Sequence, residues 1–114
     1  LVSPFAPPEH RWETLWHYMQ SGPGVFKGDL HFYSVDGDVA DGLREIDATE
    51  CPVFMLTGEY DHSCTPQASK DTAALIDGAD LTIMDGMGHF PMSETPAEFK
   101  KHLMPVLQKI SWTP

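Results

Sequence analysis

One imidazole and one carboxylate set the chemical question. His89 ends the stretch Asp85-Gly86-Met87-Gly88-His89, directly after a short apolar run at 81–84. Asp61 ends Gly58-Glu59-Tyr60-Asp61, directly after the apolar run at 52–58. A carboxylate beside an imidazole fixes the ring's tautomer and stabilises the imidazolium, which makes the ring a general base for a hydroxyl or thiol nucleophile. The two residues are distant in sequence, so only the elements that carry them can bring them together. In open parallel sheets, catalytic groups gather beyond the carboxyl ends of strands. Two strands joined by one crossover would place those ends side by side. Gly86 and Gly88 would let the loop turn without a Cβ clash.

The elements follow from pattern. The run PVFMLTG at 52–58 is continuously apolar and ends on glycine, which predicts a strand buried on both faces, as in a parallel sheet. Thr65 followed by Pro66 predicts a helix start with proline at its first position. That helix runs towards Ile76 and stops where Gly78 can take a left-handed cap. LTIM at 81–84 predicts a second short buried strand. Thr95-Pro96-Ala97-Glu98 reads as a capping box. It opens a last helix with Phe99, Leu103, Val106, Leu107 and Ile110 along one face, and Pro105 inside it predicts a kink or a stop. The second half is thus strand, helix, strand, helix: a βαβ unit with a right-handed crossover expected.

The first half is less legible. Residues 1–8, with Pro4, Pro7 and Pro8, read as a tether. Residues 9–20 predict a helix in which Trp12, Leu15, Trp16 and Met19 form one apolar stripe, a packing face. SGPG at 21–24 stops it. Residues 25–35 fit a strand or a buried helix equally well; 36–42 are acidic and turn-rich, and 43–46 suggest a helical turn.

Composition limits the partners. The chain has 114 residues, 41% hydrophobic and 21% charged, which suits one small soluble domain. Seventeen Asp and Glu against seven Lys and Arg give a net charge of −10. Such a surface repels phosphate backbones and anionic membranes, so neither nucleic acid nor membrane is an expected partner. No apolar run approaches the length of a membrane span. Cys51 and Cys64 make no disulfide framework, so a reduced, cytoplasmic setting is expected. No basic-then-apolar leader opens the sequence.

CPVFMLTGEYDHSCTP and GADLTIMDGMGHFPMSETPAEF together resemble the end of an α/β-hydrolase. The resemblance covers residues 51–110 and rests on order and strand context rather than on either motif alone. It implies that Asp61, in a G-x-x-D loop, is the catalytic acid, and that His89, in a G-x-G-H loop, is the catalytic base. It also implies a final helix packed on the sheet. The family's nucleophile lies in a G-x-S-x-G elbow, and none of Ser3, Ser21, Ser34, Ser63, Ser69, Ser93 or Ser111 has that context. The expectation is therefore an α/β fold that is the carboxy-terminal portion of a hydrolase: residues 1–48 a cap-domain tail and return segment, and residues 49–114 a βαβα part of the core. The parent would cleave an ester or related bond in a small molecule, without a cofactor, and the chain alone would be inactive. Trp12, Trp16, Phe26 and Phe32 would line a cap pocket, and Phe90 and Met92 would join Trp12 and Trp16 in binding substrate.

Plainer alternatives stand beside these. His89 could be an ordinary loop histidine and Asp61 a loop cap. Asp85 is a rival acid but sits so close to His89 that it fits a turn-stabilising role, and Glu59 is expected to be exposed. His62, Cys64 and His89 match no zinc spacing, so no metal is expected. Asp36 and Asp38 begin a calcium-like pattern that Ala40 breaks. The alternative function is a non-enzymatic module that dimerises through an exposed sheet edge.

Overall fold

The computed structural model describes residues 1–32, 34 and 40–111; Asp36 and Asp38, and the side chains of Phe26 and Ala40, lie outside what is described. Eight elements follow in order: α1 (Pro8–Met19), α2 (Pro23–His31), α3 (Ala40–Leu43), β1 (Phe54–Gly58), α4 (Pro66–Ala73), β2 (Asp80–Met84), α5 (Pro91–Glu94) and α6 (Pro96–Ser111). β1 and β2 pair in parallel, Phe54 opposite Asp80 through Gly58 opposite Met84. The expected strand–helix–strand–helix order is present, with α5 as an added turn of helix between β2 and α6.

Alternation along the strands builds three layers. Thr57 points to one face, where its hydroxyl donates to Ser69 of α4 at 2.7 Å in a buried bond. Phe54 and Leu56 point to the other, where with Thr82 they meet Pro105 and Val106 of α6. There Lys109 pairs with Asp80 at 2.8 Å and lies 5.3 Å from the centre of the Phe54 ring. The strands are only partly buried over most of their length, and buried side chains collect at and just past their carboxyl ends: Thr57, Met84 and Met87. Burial on both faces was expected; with two strands and one helix per face, cover is incomplete.

Local chemistry sets the helix ends. The Thr65 hydroxyl accepts from the Ala68 N–H at 3.2 Å, with Pro66 at the first helical position. α4 ends at Ala73 rather than near Ile76 and is followed by Ala74 in a right-handed conformation, so Gly78, at φ +81°, turns the connection to β2 instead of capping the helix. The capping box does not form. The Thr95 hydroxyl is buried without a hydrogen-bond partner among the described residues, and Glu98 pairs instead with Lys101 at 2.7 Å. Pro105 lies within α6 without interrupting its assignment.

The first half departs most from expectation. Residues 25–31 are helical, within α2. The predicted stripe of α1 faces outward: Trp12, Leu15, Trp16 and Met19 are all exposed, Trp12 by 72%. The buried face is polar. Thr14 donates to the His10 carbonyl at 2.8 Å and shares a hydrogen bond with Ser93, while His10 Nδ1 donates to the Glu94 carbonyl at 3.0 Å. Nor is the amino-terminal segment a loose tether: Ser3 and Ala6 are buried. The Ser3 hydroxyl donates to the Gly86 carbonyl, and the Leu1 carbonyl accepts from the His89 N–H at 2.8 Å.

Gly58 lies directly against the backbone of the loop that follows β2. A Cβ there would overlap the Gly88 carbonyl oxygen and lie 2.7 Å from that of Met87. Backbone cannot yield as a flexible side chain can. Gly58→Ala is therefore expected to lower the unfolding free energy by about 2–3 kcal/mol, the upper part of the overpacking range. Urea denaturation checks this, and an unchanged midpoint would show that the close approach is not there.

Candidate functional site

The ladder between β1 and β2 continues past both strands. The Glu59 N–H donates to the Met84 carbonyl at 3.0 Å and the Tyr60 N–H to the Met87 carbonyl at 2.8 Å. The Glu59 side chain, exposed as expected, accepts from the Gly86 N–H at 2.9 Å. Gly86, at φ +70°, supplies the left-handed turn that brings the second loop back. The two loops are thereby joined before either functional side chain is considered.

Asp61 and His89 meet at their tips. Asp61 Oδ2 lies 2.8 Å from His89 Nδ1. The Asp61 side chain is 7% exposed and that of His89 30%. Asp61 Oδ1 accepts the N–H groups of Ser63 and Cys64, both at 2.8 Å. A carboxylate only accepts, so Nδ1 carries the proton of this bond, and in the neutral ring Nε2 keeps its lone pair. No hydrogen bond to Nε2 is present among the described residues. Burial, the largest influence on Asp61, opposes its charge. The hydrogen bond from His89, the two backbone donors and the attraction of the imidazolium together prevail, and its carboxyl ionises below the ordinary value. Asp85, the rival, is exposed.

Phe90 stands edge-on to the His89 ring, centroids 4.7 Å apart, and Tyr18 of α1 stands edge-on to Phe90 at 5.7 Å. Thr14, His17, Tyr18, Ser21, Phe90 and Ser93 line a groove of about 290 Å³ between α1 and α5. Of the four residues read as substrate-binding, the structure therefore brings Phe90 to the imidazole. Trp12 lies in a separate groove with Pro8, Arg11 and Leu15; Trp16 and Met92 are exposed, at 66% and 56%. Phe32 is exposed too, at 55%. Tyr18 was missed by the sequence reading, because the apolar stripe of α1 drew attention to its opposite side.

Glu94 was missed as well. It is fully buried, and its carboxylate accepts from the backbone N–H groups of Ser3, Gly88 and Phe90 at 2.8, 3.0 and 2.8 Å. Its one visible signal was a lone acidic residue five positions after His89, which reads as solvent-facing without the fold.

Asp61, Cys64 and His89 each offer a donor atom, all within 4.8 Å of one another, and could hold a cation. Cys64 thus does approach the pair, with Asp61 rather than His62 completing the group. Both oxygens of Asp61 are already engaged, so an ion would have to displace an existing hydrogen bond.

No protein-family model and no curated protein sequence matches the chain. Among solved structures it is similar to a malate-bound thermophilic esterase from Thermogutta terrifontis. The TM-score is 0.57 and the identity 25%, over 64% of this chain and 26% of the esterase. The chain thus spans about a quarter of the length of that enzyme, and its two-stranded α/β arrangement is similar to part of a hydrolase fold.

The depressed ionisation of Asp61 has a sign that can be measured. The folded state binds this proton less readily than the unfolded chain. The stability Asp61 contributes is therefore complete above the unfolded value of about 3.9 and is lost as pH falls through the lower folded value. The difference in unfolding free energy between wild type and Asp61→Asn is expected to be flat near pH 5 and to shrink below about pH 4. Denaturant titrations across that range test it, and a difference that stayed constant would count against the paired carboxylate.

Proposed function

We propose that Asp61 and His89 are the acid and base of a nucleophile–histidine–aspartate triad, and that this chain is the carboxy-terminal portion of an α/β-hydrolase acting on an ester or related bond. One observation carries the reading: a buried carboxylate 2.8 Å from an imidazole, on loops that leave the same end of two adjacent parallel strands. The similarity to part of an esterase supports it.

The chemistry follows from the tautomer. Nε2 takes the proton of a hydroxyl nucleophile as the oxygen attacks the carbonyl carbon. Asp61 stabilises the imidazolium that results, and Nε2 returns the proton to the leaving alcohol. Water then repeats the sequence on the acyl-enzyme. The nucleophile and the oxyanion-stabilising donors come from other parts of the parent polypeptide, so the 114-residue chain alone is inactive. The substrate is a small molecule whose apolar part lies against Phe90 and Tyr18. Residues 8–48 derive from a cap, whereas residues 1–6, tied to the histidine loop, belong with the core, so that the cap begins later than in the 1–48 segment read from sequence.

The test uses a parent chain that carries a G-x-S-x-G elbow. There, His89→Ala and Asp61→Asn are each expected to lower kcat by roughly 10⁴-fold while leaving the nucleophile in place. Labelling by an activity-based serine probe is expected to slow in step. Equal labelling of wild type and His89→Ala would sink the proposal.

A second reading, a dimerising module, draws on the sheet. Each strand has one edge unpaired by another strand among the described residues, and α1 and α2 expose Trp12, Trp16, Val25 and Leu30. Sedimentation of the chain would then show a dimer growing with concentration. A monomer at high concentration would leave the hydrolase reading alone.

A further inference from the structure

We infer that Glu94 is the positioning residue of His89, holding the backbone on both sides of the imidazole and coupling it to the amino-terminal segment. Three consecutive N–H groups, those of Gly88, His89 and Phe90, turn inward. The first and third donate to Glu94 Oε2 and Oε1 at 3.0 and 2.8 Å, and the second donates to the Leu1 carbonyl at 2.8 Å. Glu94 Oε2 also accepts from the Ser3 N–H at 2.8 Å, so one carboxylate ties the histidine loop to the segment that accepts from His89 itself.

Such an arrangement orients a side chain by removing the freedom of its backbone. With the peptide N–H groups before and after the His89 Cα both fixed, the direction of its Cβ is set. The ring then needs only its own rotamer to place Nδ1 at Asp61. Hydrogen bonds to a charged acceptor are the stronger kind, and a buried N–H left without one is costly. Gly88 lets two backbone segments and the Glu94 carboxylate converge: a Cβ there would lie 2.5 Å from the Leu1 carbonyl oxygen, 2.6 Å from Ser3 N and 2.7 Å from Glu94 Oε1. Glutamine cannot replace the carboxylate. Whichever way its amide is turned, an NH₂ group meets an N–H donor on one side. The inference rests on the reading of His89 as a base only for its functional meaning; the geometry is tested without activity.

The experiment is proton and nitrogen NMR of the 114-residue chain. In wild type, the His89 Nδ1–H is expected as a separate downfield signal. The amides of Gly88 and Phe90 should exchange as slowly as those of the β1–β2 ladder. In Glu94→Gln, the downfield signal is expected to weaken or vanish, and protection of those two amides to fall by roughly ten- to a hundredfold, as loss of charge-assisted bonds implies. The ladder should persist. Glu59→Ala, which removes a different carboxylate–backbone bond from the same loop, should leave the His89 signal in place. Retention of that signal in folded Glu94→Gln would overturn the inference. If Glu94→Gln fails to fold, the wild-type exchange rates decide: Gly88 and Phe90 amides exchanging as fast as an open loop would overturn it, and slow exchange matching the ladder would support it. Failure of the triad reading would appear separately, as activity in a parent chain that survives His89→Ala.

Discussion

Gly58 has no side chain, and the backbone of the histidine loop fills the space where one would project. That close approach lets the parallel ladder run on past the strands, through Glu59–Met84 and Tyr60–Met87, and so puts both loops in register with each other. Parallel strands have evenly spaced hydrogen bonds and a common direction, and loops leaving them emerge at one rim. Asp61 and His89 meet because their backbones are already joined, not because their charges drew them together. A Cβ at position 58 would force the Gly88 and Met87 carbonyls away to reach ordinary contact, and a 2.8 Å hydrogen bond tolerates little such movement.

The interior near this rim is unusual in being held by polar groups. Asp61, Glu94, Ser3, Thr57 and Ser69 are all buried and all hydrogen-bonded, while the buried hydrophobic residues among those described are Ala6, Ala48, Ile76, Met84 and Met87, with no aromatic ring among them. Each buried carboxylate faces several donors, Asp61 the imidazole and two backbone N–H groups, Glu94 three backbone N–H groups. Satisfied networks of this kind specify one geometry, because any displacement leaves a polar group unpaired where water cannot reach it. Away from the rim the molecule is less well covered. The outer residues of α1 and α2 and the later part of α6 present apolar side chains to solvent, Ile110 and Leu107 among them.

The aromatic pair beside the imidazole connects the two halves. Phe90 follows His89 directly and therefore shares its fixed backbone, and Tyr18 reaches it from α1. α1 is itself held by polar contacts, Thr14 to Ser93 and His10 to the Glu94 carbonyl. The same short helix, α5, thus anchors α1 through one set of atoms and the histidine loop through the Glu94 carboxylate. The groove between α1 and α5 is lined by Phe90, whose ring stands edge-on to the imidazole.

The local sequence determined the strand–helix–strand–helix order of the second half, the Thr65 cap, the left-handed Gly78, and the presence of an acid and a histidine on loops after successive strands. Those are effects of neighbours in the chain, where turn chemistry and apolar runs act over a few residues. It misjudged α1, because four apolar residues at helical spacing indicate a face but not what that face meets. Trp12 and Trp16 turn outward while Thr14 turns in. It read residues 1–8 as a tether, because nothing in three prolines reveals that Ser3 and Leu1 bond to a loop some eighty-five residues away. The capping box between Thr95 and Glu98 did not form: the Glu98 N–H donates to the Thr95 backbone carbonyl, and its carboxylate pairs with Lys101. Above all, the fold alone decided the place of Glu94. A buried acid and an exposed one look the same in sequence, and only the convergence of three backbone N–H groups from two distant segments makes burying it tolerable.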